Sequence, residues 1–171
     1  MDIKQYLERI RYPGPLSPDV QTLHGLQGAH LLCIPFENLD IGLKRPIQLD
    51  EDALWDKIIL RGRGGFCYEL NGLFARLLQE VGFVVTYLNA RVSNRRGELG
   101  IDFDHLALLV QLPGQDSRWL TDVGFGDSFI EPLCLEGPEI QEQGLRAYRV
   151  DRLPDGFAIW QRNYDSSWER H

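Results

Sequence analysis

The chain has 171 residues, 43% hydrophobic and 25% charged, the balance of a soluble globular protein able to bury a core without staples. Eighteen basic residues against 25 acidic ones give a net charge of −7, which argues against a nucleic-acid or anionic-membrane surface. Eleven per cent aromatics, the absence of sustained heptads and the lack of any apolar run near the ~18 residues of a membrane span exclude disordered, coiled-coil and membrane-spanning classes.

The first half reads as helices. Asp2 caps a segment in which Ile3, Tyr6, Leu7 and Ile10 recur at helical spacing, and Pro13-Gly14-Pro15 stops it. Ser17 as N-cap with Pro18 at the first helical position opens a second helix, turning Val20, Leu23, Leu26 and Leu31 inward. It ends at Ile34, because Pro35 disfavours helical backbone in its predecessor. Asp50 starts a third helix through Leu54, Ile58 and Ile59. The glycine-rich stretch Arg61–Gly65 follows, and then Leu70, Phe74, Leu77, Leu78 and Val81 restore helical period up to Gly82.

Beyond Gly82 the pattern changes to short strands. They are expected over 83–92, 105–112, 118–123, 146–150 and 157–161, with turn signals at 94–97, 113–114 and 154–156. The chain is therefore read as α+β: an N-terminal helical lobe over 1–82 followed by an antiparallel β lobe over 83–171. Met1 is followed by Asp2 and a mixed-charge segment rather than a basic stretch leading into an apolar one, so no signal peptide is expected. Cys33, Cys67 and Cys134 are odd in number and lack a CxxC pair, which points to a reducing cytoplasm.

Cys67 differs from the other two thiols. Cys33 and Cys134 sit among leucines and read as buried hydrophobes, whereas Cys67 lies where a glycine-rich loop becomes a helix. A thiol there faces the positive end of the helix dipole and unpaired N–H groups, which favour a thiolate and would hold a developing oxyanion. Gly64 and Gly65 are expected to let a substrate carbonyl approach without meeting a Cβ. A thiolate nucleophile needs a base and a group to orient it. His105 opens one predicted strand and Asp122 ends another; paired strands would let Asp122 bond one imidazole nitrogen and leave the other for Cys67.

The run from Arg63 through Gly64-Gly65-Phe66-Cys67-Tyr68-Glu69-Leu70-Asn71 to Phe74 resembles the nucleophile segment of the arylamine N-acetyltransferases. Upstream, His30 with Ile34-Pro35-Phe36-Glu37-Asn38-Leu39 is similar to that family's Ile-Pro-Phe-Glu-Asn block. Downstream, Asp104-His105-Leu106 and Thr121-Asp122-Val123-Gly124-Phe125-Gly126 match its histidine and aspartate blocks, in order. The resemblance implies a cysteine-protease-like arrangement with a Cys67–His105–Asp122 catalytic triad. It also implies acetyl-CoA as the acetyl donor, a Cys67 acetyl-thioester, and an arylamine or hydrazine as acceptor. Phe36, Gly124, Phe125 and Gly126 would form the substrate slot. Arg63, pairing with Glu37 or Glu69, would brace the nucleophile loop, with Asn71 serving the same end.

Members of that family are usually longer, with a third α/β lid region over the cleft. That region is expected to be absent here, through truncation or in a naturally short protein, with turnover impaired. Two alternatives follow. One is a lidless remnant that acylates or binds ligand without turnover. The other is a transglutaminase-like thiol amide hydrolase, which shares the order Cys, His, Asp but usually carries Trp where this chain has Tyr68. Cys67, His105 and Asp122, or His24, His30 and Cys33, are metal-ligand types without the paired short spacings of structural zinc, so no metal is expected.

Overall fold

Asp2 caps α1 (Ile3–Ile10) by accepting the Gln5 N–H at 3.2 Å, and the helix buries Tyr6 and Ile10. The computed structural model in which this is seen describes residues 1–94 and 96–170. Arg95, inside the turn predicted over 94–97, and His171, last in the expected β lobe, lie outside the described residues. In α2 (Val20–Cys33) the cap is Asp19 rather than Ser17: its carboxylate accepts the Thr22 N–H at 2.8 Å, so the helix starts two residues later than expected. The third expected helix is α4 (Glu51–Trp55), which widens into a π-helical turn over Asp56–Leu60. That widening buries Lys57 with Ile58 and Ile59. A single helical turn, α3 (Leu39–Gly42), adds to the three helices that the sequence predicts before the nucleophile. The nucleophile helix α5 (Cys67–Val81) ends on Gly82 at φ 109°, where only glycine sits without strain.

Two antiparallel four-stranded sheets follow, so the α+β class holds. The first has the order β1 (Val84–Ala90), β2 (His105–Gln111), β3 (Arg118–Thr121), β4 (Leu133–Cys134). The second is a meander of β5 (Gln141–Gln143), β6 (Arg146–Leu153), β7 (Gly156–Arg162) and β8 (Trp168–Arg170). Strands β4, β5 and β8 have two or three residues each, too short to carry an alternation. No helix among the described residues is long and apolar enough to cross a membrane.

Strand β2 positions the site because its two faces serve different cores. Leu108 and Val110 point into the main core with Leu23, Leu26, Leu70, Leu73, Phe74, Leu77 and Leu78. Ala107, one residue out of phase, joins Leu120, Phe129, Leu133 and Tyr148 in a second cluster. The β2–β3 register pairs Leu108 with Thr121. Continued by one residue it sets Asp122 opposite Ala107, with His105 two residues along β2 on the same face. Antiparallel pairing thus delivers His105 and Asp122 to one spot.

Candidate active site

Cys67 is the first residue of α5 and is buried, 7% exposed. The turn that presents it is held from beneath by ions. The Glu69 carboxylate accepts the Phe66 N–H at 3.1 Å and receives Lys57 Nζ at 2.7 and 2.8 Å. Lys57 also reaches Asp40 at 2.9 Å, and Arg63 pairs with Glu37 at 2.7 Å and Asp40 at 3.0 Å. Arg63 therefore braces the loop through Glu37 and Asp40, while Glu69, its other expected partner, is engaged by Lys57. The Lys57 hydrogen bond, followed by that of Arg63, outweighs burial and holds the Asp40 carboxyl down at about 2. Lys57 itself is raised: burial works against its charge, and the bonds to Glu69 and Asp40 overcome it.

The glycine loop is packed, which corrects the expectation of an open approach for substrate. A Cβ on Gly64 would stand 1.8 Å from the Pro35 carbonyl oxygen, and one on Gly65 would meet the Glu69 carboxylate at 2.8 Å. The loop is zipped to the Pro35–Glu37 segment instead, through a parallel bridge between Phe36 and Gly65 and a Glu37 N–H bond to Gly65 O at 2.9 Å. These glycines fix the nucleophile loop against its neighbour.

On the other side, His105 Nε2 meets Asp122 Oδ2 at 2.6 Å. This leaves Nδ1 for Cys67, whose side chain lies within hydrogen-bonding reach of the imidazole. Burial of His105 opposes its charged form, but the bonds to Asp122 and Cys67 prevail and raise the imidazole to about 9. Asp122 Oδ1 accepts the Asn71 amide and the Gly124 N–H, each at 2.8 Å. Asn71 further donates to Leu106 O at 2.7 Å and accepts the Val123 N–H at 2.9 Å. It therefore braces the acid and its strand, not the glycine loop as expected. Gly124 is obligatory by proximity, since a Cβ there would lie 2.6 Å from Cys67 Cα.

Phe125 stacks edge-on against His105 with centroids 5.2 Å apart, and Phe36, 45% exposed, covers Gly126. A cavity of about 620 Å³ opens beside them between the two sheets, with His105, Asp122 and Phe125 at one end and Leu88, Leu120 and Phe129 along its wall. Among the described residues His24, His30 and Cys33 have structural partners. Burial, helped by Arg9, holds His30 down at about 3, and its Nδ1 meets the Tyr6 hydroxyl at 2.9 Å. His24 pairs with Glu131 at 3.5 Å, and the Cys33 thiol donates to Ile10 O at 3.2 Å. Among the described residues no group of three or more His, Cys, Asp or Glu is arranged to hold a metal ion.

Lys57, Asp40 and Gln27 are absent from the sequence-based set of site residues. Two of them carried a signal: Lys57 stands three residues after buried Leu54, and Gln27 four after Leu23, so each is a polar residue on an apolar stripe. Asp40 carried none, because its nearest partners, Lys57 and Arg63, come from distant segments.

The sequence model of a family described as N-acetyltransferase matches residues 19–170. The arylamine N-acetyltransferase of Mycolicibacterium smegmatis is 42% identical over 93% of this chain and 59% of its own. Proansamycin X synthase of Amycolatopsis mediterranei is 38% identical over 98% of this chain and 65% of its own. The structure of Mycobacterium marinum arylamine N-acetyltransferase in complex with CoA superposes with a TM-score of 0.89 at 37% identity, covering 99% of this chain and 63% of that one. The chain thus spans between 59% and 65% of the length of these relatives.

Proposed function

The chain belongs to the arylamine N-acetyltransferase family, and from that premise we propose that it transfers an acetyl group from acetyl-CoA to an arylamine or hydrazine through a thioester on Cys67. The observation that carries the reading is His105 lying between the Cys67 thiol and the Asp122 carboxylate. Cys67 gives its proton to Nδ1, and the thiolate attacks the thioester carbonyl of acetyl-CoA. The tetrahedral oxyanion collapses, the C–S bond to CoA breaks, and the CoA sulfur takes the proton back from His105. The amine then attacks acetyl-Cys67, passes its proton to His105, and the amide leaves as the Cys67 thiolate regains a proton. Asp122 holds the ring in the tautomer that this shuttle requires.

Oxyanion stabilisation falls to the first turn of α5. The amides of Asp122, Val123 and Gly124 are already engaged by Gln27, Asn71 and Asp122, so they are not available to a substrate oxygen. The N–H at Cys67 stands at the positive end of the helix. The test is peptide mapping by mass spectrometry after incubation with acetyl-CoA or p-nitrophenyl acetate. One acetyl group on Cys67, discharged by 4-aminobenzoate or isoniazid, is expected; an unmodified Cys67 would sink the covalent route. An adduct that no amine discharges would retain acylation and remove the transfer.

A further inference from the structure

The ladder of β3 ends at Thr121, so from Asp122 onward the backbone has no strand partner and its buried N–H groups need others. Val123 finds Asn71 and Gly124 finds Asp122 itself. The Asp122 N–H is taken by Gln27, a fully buried side chain on α2 that belongs to none of the sequence blocks around the nucleophile, base or acid. Gln27 Oε1 accepts that N–H at 3.1 Å, and Gln27 Nε2 donates to Phe129 O at 3.4 Å. One amide therefore spans the base of the 122–129 loop, which carries the acid, Gly124, Phe125 and Gly126.

We infer that Gln27 is a positioning residue for the acid of the site, holding both ends of the 122–129 loop so that Asp122 keeps its carboxylate on His105. This rests on the acetyl-transfer reading above, since it assigns Gln27 a role through Asp122. The arrangement is directional. An amide supplies one acceptor and one donor, and the two loop ends present one N–H and one C=O. A carboxylate matches only the first and an apolar side chain neither. With the acceptor gone, the Asp122 amide is a buried donor in need of a new partner, and the nearest freedom is rotation of the peptide that carries the carboxylate. Because Asp122 and His105 touch at 2.6 Å, such a shift is felt first in the imidazole.

The experiment follows the His105 imidazole by NMR across pH in the parent chain and in Gln27→Met, Gln27→Glu and Asp122→Asn, with the signal assigned by its loss in His105→Gln. The charged or ionisable groups acting on that ring are Asp122 and Cys67. Of the other charged residues lining the same cavity, Arg91 and Asp102 pair with each other at 3.7 Å, and Asp155, in the β6–β7 turn, and Arg170, on β8, belong to the second sheet. Gln27→Met keeps the length and apolar packing of the side chain, and is expected to lower the titration midpoint by about one unit or more from its raised position. Gln27→Glu keeps the acceptor and is expected to leave the midpoint at or above that of the parent. A merely structural Gln27 would lower thermal stability in both variants without moving the midpoint. If Gln27→Met titrates like the parent while Asp122→Asn falls, the positioning role is overturned and the triad reading stands. If Asp122→Asn also titrates like the parent, both are overturned. Should Gln27→Met fail to fold, Gln27→Ala, which likewise lacks the acceptor, takes its place: a fall in its midpoint is expected, and a midpoint at the parent value overturns the role given to Oε1.

Discussion

Behind Cys67 lie six charged side chains, Lys57, Arg63 and Arg45 among Glu37, Asp40 and Glu69, whereas Asp122 is surrounded by the amides of Gln27 and Asn71 and the Gly124 N–H. Lys57, Asp40 and Glu69 in the first and Asp122, Asn71 and Gln27 in the second are buried, and both clusters hold a loop in place. They differ in what they do to the local field. Three cations against three carboxylates cancel, so the first cluster fixes the α5 entry as a strut and projects little net charge. Neutral amides orient the Asp122 carboxylate without neutralising it, so its charge remains for the imidazole at 2.6 Å. Ion pairs suit a part that must stay put; amides suit a part whose charge must be used.

The strongest test of that contrast is Asp122→Asn, which leaves the shape of the amide-lined pocket nearly unchanged and removes only the charge. Acetyl transfer is expected to fall about 10³- to 10⁴-fold, since the ring loses both its tautomer control and its counter-ion. Steady-state rates with a fixed arylamine measure this. A loss of tenfold or less would mean that orientation by the amides, rather than the Asp122 charge, carries the effect.

Next in size is Lys57→Met. It strands Glu69 and leaves Asp40 to Arg63 and the longer contact with Arg45, at a cost of about 3–5 kcal/mol in unfolding free energy, as expected when one member of a buried ion network is removed. Urea titration at neutral pH reads the change directly. A cost below about 1 kcal/mol would place Lys57 with ordinary surface pairs and end its role as a strut.

The two clusters also predict opposite pH windows. Asp40 is held near 2 in the folded chain against 3.8 unperturbed, so its contribution is present above 3.8 and lost as pH falls through about 2. His105 is raised from 6.5 to about 9, so its contribution is complete below 6.5 and lost as pH rises through about 9. Stability measured against pH should therefore decline at both ends. Asp122→Asn should flatten the alkaline decline, and Lys57→Met should move the acid decline to higher pH. An alkaline limb unchanged in Asp122→Asn would separate the His105 titration from Asp122.

How far such features could be read from the sequence depended on how local their causes are. The caps at Asp2 and Asp50, the stop at Gly82 and the strand starts at His105 and Arg118 follow from neighbouring residues and lie where expected. Cys67, His105 and Asp122 were legible because each sits at an element boundary beside glycine or a charge. Arg63 was singled out, but its Asp40 partner arises where three separate segments meet. Asn71 serves Asp122 rather than the glycine loop, and its spacing from Cys67 does not indicate this because it says nothing of the strand packed above it. The packing of Gly64 against Pro35 is likewise invisible without the fold, since a glycine fits an open approach and a tight contact equally well.

The smallest effect tests the one helix start that shifted. Asp19 accepts the Thr22 N–H at 2.8 Å, whereas Ser17 lies outside α2. Asp19→Ala is expected to cost about 1 kcal/mol in stability, and Ser17→Ala a few tenths at most. Because α2 carries Gln27 beyond its first turn, fraying at the cap should not reach the Asp122 amide. Chemical denaturation of Asp19→Ala should therefore show the loss while its His105 titration midpoint stays at the parent value. A midpoint that fell with Asp19→Ala would mean that α2 passes any loosening to the acid. The contrast between a rigid charged strut and a local amide clamp would then have to give way to one cooperative unit.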